Sequence, residues 1–422
     1  MLCDTVTPHG QGARSPTNTT CESDLSTVFE KKLEQCRAFR AKHSSEGVYA
    51  HLQKLAVHRL LRCARQEGMK VSIAYGGPAS GKKRDWDQQV EFLREAEQMG
   101  VDIIWSAEAW GMDGVSTLAY LAAVTNRVQL GTGILQISAR TPVMTAMTAL
   151  SLAAISDDRF ILGLGVSGPQ VVEGLHGVRF KQPLARLRET VDIVKQAFAG
   201  EKITYEGFHH VLPLPGGEGK ALRLAQPANE QIPIWLATLG PKSLEYTGEV
   251  ADGWVGTSFV PSASHATIGR IKVGADLAGR DPNSLDYQAG GAVQFGEDID
   301  QLIAPRRSGV AFTLGAMGSP TTNFYNDAYK RGGFEEEALE VQRLWISGDR
   351  EKAAQRVPTD LILQTNFLGS TVQVTERVRS YRDAGVTVLR VQPEGADNQE
   401  RLDSLGGIVD IVRTINQEQI NM

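Results

Sequence analysis

From Lys70 to the end of the chain, short apolar runs alternate with longer amphipathic stretches. The apolar runs predict strands at Lys70–Tyr75, Asp102–Trp105, Val128–Thr132, Phe160–Gly165, Ile232–Ala237, Gly253–Gly256, Leu285–Phe295 and Val386–Val391. Between them, apolar positions recur at helical spacing. Asp85–Met99 carries Val90, Leu93 and Ala96 on one stripe. Pro142–Ile155 opens on a proline, which is pre-organised for a helix's first turn. Val115–Val124, Pro183–Ala199, Thr371–Ala384 and Leu402–Ile415 complete the main helices. Such alternation predicts a parallel sheet with helical crossovers. Two segments depart from it. Lys202–Val211 reads as a small hairpin, and Asp298 to about Arg356 has mostly helical composition and reads as an insertion. About eight strand–helix units between residues 69 and 422 fit an α/β fold of the (β/α)8 TIM-type barrel class with insertions. An open doubly wound sheet has the same pattern, because alternation does not report closure.

Residues 1–68 differ in composition from the rest of the chain. All four cysteines (Cys3, Cys21, Cys36, Cys63) and four of the eight histidines precede Met69. This N-terminal extension is expected to be disordered or loosely helical, and it lacks the Cys-x-x-Cys or His-x-x-x-His spacing of a metal site. Its start has neither the basic residues nor the apolar core of a signal peptide, and free thiols suit a reducing compartment, so the expected location is cytoplasmic. A net charge of −5 gives no reason to expect nucleic acid, and no apolar run approaches membrane-spanning length.

Candidate chemistry gathers where strands end. Gly163-Leu164-Gly165-Val166-Ser167-Gly168 is a glycine-rich strand exit, where backbone N–H groups can approach an anion closely. Leu239-Gly240-Pro241-Lys242-Ser243 opens a helix, whose free N–H groups and positive end suit an anion too. Gly76–Lys83 nearly matches a nucleotide-binding P-loop, but Lys83 stands where magnesium needs Ser or Thr; an exposed loop over the barrel mouth is the better reading. Glu206, His209 and His210 lack the spacing of a helical zinc site, and no metal is expected. His176 reads as a structural, hydrogen-bonding histidine.

Several blocks occur together and in order. Gly163 to Gly177 is preceded by Leu130-Gly131-Thr132-Gly133-Ile134-Leu135-Gln136-Ile137 and Ala139-Arg140-Thr141-Pro142. It is followed by Pro233 to Lys242, Ala251-Asp252-Gly253-Trp254, Gly318 with Asn323-Phe324-Tyr325, and Asp383-Ala384-Gly385-Val386-Thr387. From about Met69 onward the chain resembles the luciferase-like monooxygenase superfamily, in its coenzyme F-420-dependent branch. The resemblance implies a barrel oxidoreductase that moves a hydride between a deazaflavin and a small organic substrate, as a homodimer. It implies a non-proline cis peptide at Gly133-Ile134, beside Thr132, behind the cofactor ring. It also implies cofactor binding by Gly165, Val166, Ser167 and Gly168, and by Ala237, Thr238, Leu239, Gly240 and Lys242, with the phosphate-bearing tail at the two turns. Glu108 falls where relatives place an acidic residue against the ring. The histidine that some relatives carry next is Ala109 here, which leaves the acid–base group open, with Glu108 and Trp110 as the catalytic candidates. Trp110 either lines the substrate pocket or packs the rim. Two alternatives stay open: an FMN-dependent monooxygenase of the same fold, and a non-catalytic cofactor-binding barrel.

Overall fold

The computed structural model describes residues 68–76, 82–318 and 322–420. The expected extension before Gly68 and most of the Gly76–Lys83 loop lie outside the described residues. The barrel strands are β1 (Lys70–Ala74), β2 (Ile103–Ser106), β3 (Gln129–Thr132), β4 (Phe160–Gly165), β5 (Ile234–Ala237), β6 (Gly253–Val255), β7 (Asp286–Phe295) and β8 (Val388–Pro393). Each pairs in parallel with the next, and β8 returns to pair with β1, so the sheet closes. Closure, which alternation alone cannot report, selects the barrel over the open sheet. A short strand, Phe367–Gly369, extends the upper part of β7 beyond its pairing with β6.

Most element boundaries fall within a residue or two of expectation. The first helix begins at Lys83, two residues early, because Lys82 takes the extended conformation of an N-cap. The last strand begins two residues late. Val386 donates its N–H to Tyr381 O and closes the preceding helix rather than entering the ladder. A helix at Ile268–Leu277 was not legible in the sequence. Glycines weaken its helical signal, yet they are what its packing needs: a Cβ on Gly274 would lie 1.9 Å from Glu245 O, and one on Gly248 would lie 1.9 Å from Ile271 O. Between β7 and Phe367–Gly369 stand, among the described residues, six helices from Ile299 to Thr365, with an apolar cluster of their own that includes Leu314, Tyr329, Val341 and Leu361.

The main core lies between strands and helices, and a second, smaller one fills the lumen with Ile103, Trp105, Ile161, Trp235 and Val388. Following the registers round the barrel groups the inward positions into layers of four from alternate strands. Ile103, Ile161, Gly253 and Val388 lie lowest. Above them come Ser72, Gly131, Trp235 and Gln288, then Trp105, Gly163, Val255 and Arg390. Ala74, Gly133, Ala237 and Gly290 form the top layer. Ser72 Oγ and Gln288 Oε1 bond across the lumen at 3.0 Å, and the Trp105 and Trp235 rings sit 5.2 Å apart. A Cβ on Gly131 would meet the Trp105 ring at 2.2 Å, so only glycine leaves room for that ring.

Candidate active site

The barrel floor is packed and its mouth is open. Trp105 and Trp235 are 2% exposed, yet Ala74, one layer above Trp105, is exposed, and Gly133, Ala237 and Gly290 are partly so. Four inward positions without a large side chain leave a shallow seat on a floor topped by tryptophan. The Gly133-Ile134 peptide is cis, as the resemblance implies, and both residues face this seat partly exposed. Gly133 N–H donates to Ser106 O, and Ile134 O accepts from Glu108 N–H, which ties the β3 exit to the β2 exit.

Glu108 lies at the centre of a charged network on that side. Arg140 Nη2 donates to Glu108 Oε1 at 2.7 Å and to Asp113 Oδ1 at 3.0 Å. Gln136 Nε2 donates to Glu108 O, which holds the turn in place. The Glu108 side chain is only 12% exposed. Burial pushes its carboxyl up from the ordinary glutamate range, against the pull of the Arg140 guanidinium. Burial would also raise Asp113, but hydrogen bonds from the Ser116 hydroxyl and N–H hold it down, at about 2. The two carboxyls are thus displaced in opposite directions, Glu108 upward and Asp113 downward. Trp110 is 63% exposed beyond this turn, so it does not pack the rim.

The two glycine-marked turns lie side by side, because Gly165 pairs with Ala237. Ser167 takes a positive φ of 59°, and Gly168 leads into Pro169–Gly174. Gly240 caps Pro241–Val250 with no side chain accepting from the first N–H groups. Those donors, with exposed Lys242, make a positive, unsatisfied helix start. Gly168 faces open space: a Cβ there would meet only Gln170 Oε1, at 3.7 Å. By contrast, Thr132 and Thr238 spend their hydroxyls within the protein. Thr132 Oγ1 bonds Gly163 and Thr238 Oγ1 bonds Thr247, and Thr238 O also accepts from Trp254 Nε1, so neither hydroxyl is left for a ligand.

Comparison with known proteins decides the family. The family model described as luciferase-like monooxygenase matches residues 68–388. The chain belongs to the luciferase-like monooxygenase family. A Mycobacterium tuberculosis protein, provisionally named a coenzyme F-420-dependent oxidoreductase, is 36% identical over 348 residues, which is 81% of this chain and 99% of the relative. The 5,10-methylenetetrahydromethanopterin reductase of Methanolobus tindarius is 29% identical over 75% of this chain and 93% of its own. Among solved structures, the coenzyme F-420-dependent tetrahydromethanopterin reductase of Methanopyrus kandleri matches with a TM-score of 0.65 at 24% identity, over 80% of this chain and 97% of that one. At that identity the likeness speaks for the fold.

Within this luciferase-like barrel, sequence reasoning missed three contributors. Arg140 and Asp113 were not singled out, because their meeting with Glu108 depends on how two loops fold over the β2 and β3 exits. Arg331 comes from the helix Phe324–Arg331 and donates to Leu239 O at 2.9 Å, bringing a cation to the β5 turn from far along the chain. Its only sequence signal was a basic residue in a helical segment. Two expectations are corrected or explained. His176 is exposed and makes no hydrogen bond to a described residue, so it is not a structural histidine. Glu206 and the two histidines do lie on a hairpin, of strands Tyr205–Glu206 and Val211–Leu212. There the backbone N–H groups of Phe208, His209 and His210 donate to the Glu189 carboxylate, which accounts for that buried acid. Among the described residues, no group of three or more His, Cys, Asp or Glu side chains could hold a metal ion, and no helix is long and apolar enough to cross a membrane.

Proposed function

We propose that this protein is an oxidoreductase that transfers a hydride between the deazaflavin coenzyme F-420 and a small organic substrate, as a cytoplasmic homodimer. The observation that carries the reading is the seat at the barrel mouth: small inward residues over a tryptophan floor, with two unsatisfied N–H turns at its edge. A flat ring with a phosphate-bearing tail suits that arrangement. The sequence relatives named for F-420 dependence favour this coenzyme over FMN, whose phosphate the same turns would serve. When bound, the deazaflavin supplies hydride exchange at ring carbon 5. The chain's own residues do the rest. Ile134 and the Gly133-Ile134 peptide back the ring, with Gly165, Val166 and Ala237 beside it. Ser167-Gly168 and Leu239-Gly240 hold the tail through backbone N–H groups, aided by Lys242 and Arg331. Glu108, whose burial favours the protonated carboxyl, gives its proton to the substrate heteroatom as the neighbouring carbon receives hydride, and takes one back in the reverse direction. Trp110, exposed beyond the Glu108 turn, lines the approach to the substrate pocket.

Titrating the purified protein with F-420 and with FMN tests the cofactor. Tight, saturable binding of F-420 is expected. Preferential retention of FMN, or affinity for neither, overturns the reading. Incubation with reduced or oxidised F-420 and a panel of ketones, imines, activated alkenes and secondary alcohols then tests the reaction. Binding without hydride exchange across that panel would make the barrel a carrier instead.

A further inference from the structure

Arg390 is the only charged member of the four lumen layers. It shares its layer with Trp105, directly beneath the open seat, and is itself partly exposed. Its guanidinium forms no hydrogen bond or ion pair with any described residue, and its Nε is buried without a partner. The titratable groups that act on its charge are the phenols of Tyr381 and Tyr329, with no carboxylate among them. Ser258 Oγ, beside the Tyr329 hydroxyl, is also buried without a partner at hydrogen-bonding geometry. So are two N–H donors of the same and the next lower layer, Trp105 Nε1 and Gln288 Nε2. Other enclosed arginines of this molecule have partners: Arg140 has two carboxylates, Arg306 has Glu394, and Arg159 has backbone carbonyls. An arginine keeps its charge at any working pH, and one half-enclosed with no counter-charge is poised to bind an anion that reaches it. A partly exposed guanidinium below an open mouth, with further unpaired donors in its own layer and the next, calls for an acceptor-rich group, and its planar shape matches an oxyanion best.

We propose that Arg390 is the anchor of a substrate subsite, so that the substrates of this barrel carry an oxyanion, a carboxylate or a phosphate, beside the carbon that exchanges hydride. This rests on the mouth being the site of hydride transfer. It places the anion on the β8 wall and the proton donor Glu108 on the β2 rim, with β1 between them, which fixes the orientation of the substrate across the seat.

Calorimetric titration of the F-420-loaded protein with benzoate, phenyl phosphate and benzamide tests the subsite. At least one anion is expected to bind about tenfold or more tighter than the neutral amide, the margin of a charge-assisted pair, and the tighter of the two identifies the substrate's group. Arg390→Met should bring both anions to within about twofold of benzamide, Arg390→Lys should retain part of the preference, and F-420 affinity should stay at the wild-type value. The lysine variant also serves if the methionine variant does not fold. No preference for an anion in the wild type, absence of binding by all three probes, or a preference that survives loss of the guanidinium overturns the proposal. A fall in F-420 affinity in either variant overturns it too, by assigning Arg390 to the cofactor. Failure of the wild type to bind F-420 at all would instead break the reading of the mouth.

Discussion

The lower and upper halves of one lumen obey the same alternation and do opposite things. Below, Ile103, Ile161, Trp235 and Val388 fill the barrel, with Trp105 closing over them, and nearly all surface is lost to packing. Above, on β1, β5 and β7 and at the exit of β3, the inward positions are Ala74, Gly133, Ala237 and Gly290, and solvent reaches them. Strand pairing continues through both halves, so the backbone is equally well held. Only side-chain volume changes. The floor contributes stability and the mouth gives it up for space, which is how a closed barrel supports a site at one end without loosening the other.

Exchanging the two halves' character should separate the two roles. Trp235→Ala empties the floor and should lower unfolding free energy by about 3–5 kcal/mol, read by denaturant titration. Ala74→Leu fills the mouth and should leave stability within about 1 kcal/mol while abolishing measurable F-420 binding. If both variants lose stability alike, the contrast is wrong.

Smaller changes sharpen the rim. Glu108→Gln should slow hydride exchange by about 10²-fold with little change in F-420 affinity. In the wild type the acid must be protonated, so exchange should slow as pH rises through a pKa above the usual glutamate range. Arg140→Met removes the charge that draws this pKa down, and the limb should move to higher pH; movement to lower pH would refute the network. Gly168→Val should weaken F-420 binding about tenfold without affecting stability, since nothing in the protein crowds that position. The smallest effect is expected from a chain beginning at Met69, whose own N–H and carbonyl are held by Asn416. It should fold and bind the coenzyme as the full chain does, and loss of soluble protein would refute this.

The division between what was legible in the sequence and what was not is a physical one. Strands and helices announced themselves through local periodicity, and the glycine-marked turns through residue type, because Gly133, Gly168 and Gly240 act through their own backbone. The mouth did not announce itself. Ala74 and Gly290 are ordinary small residues until the register shows that they face one another across a lumen. Nor did Arg140 and Arg331, whose roles are long-range meetings. Arg390 left a trace that sequence reasoning passed over, a charge inside the mostly apolar run Val386–Val391. Thr132 and Thr238 looked available as ligands, and only hydrogen-bond partners reveal that their hydroxyls are taken.

The central claim is that the small-residue layer is the seat of the coenzyme. A crystal structure of the protein soaked with F-420 tests it most directly. The account expects the ring above Trp105, backed by Gly133-Ile134 with Ala74 and Ala237 at its edges, the β8 side by Gly290 left open to substrate, and the tail between Ser167-Gly168 and Gly240-Lys242. A ring bound elsewhere on the protein would contradict it.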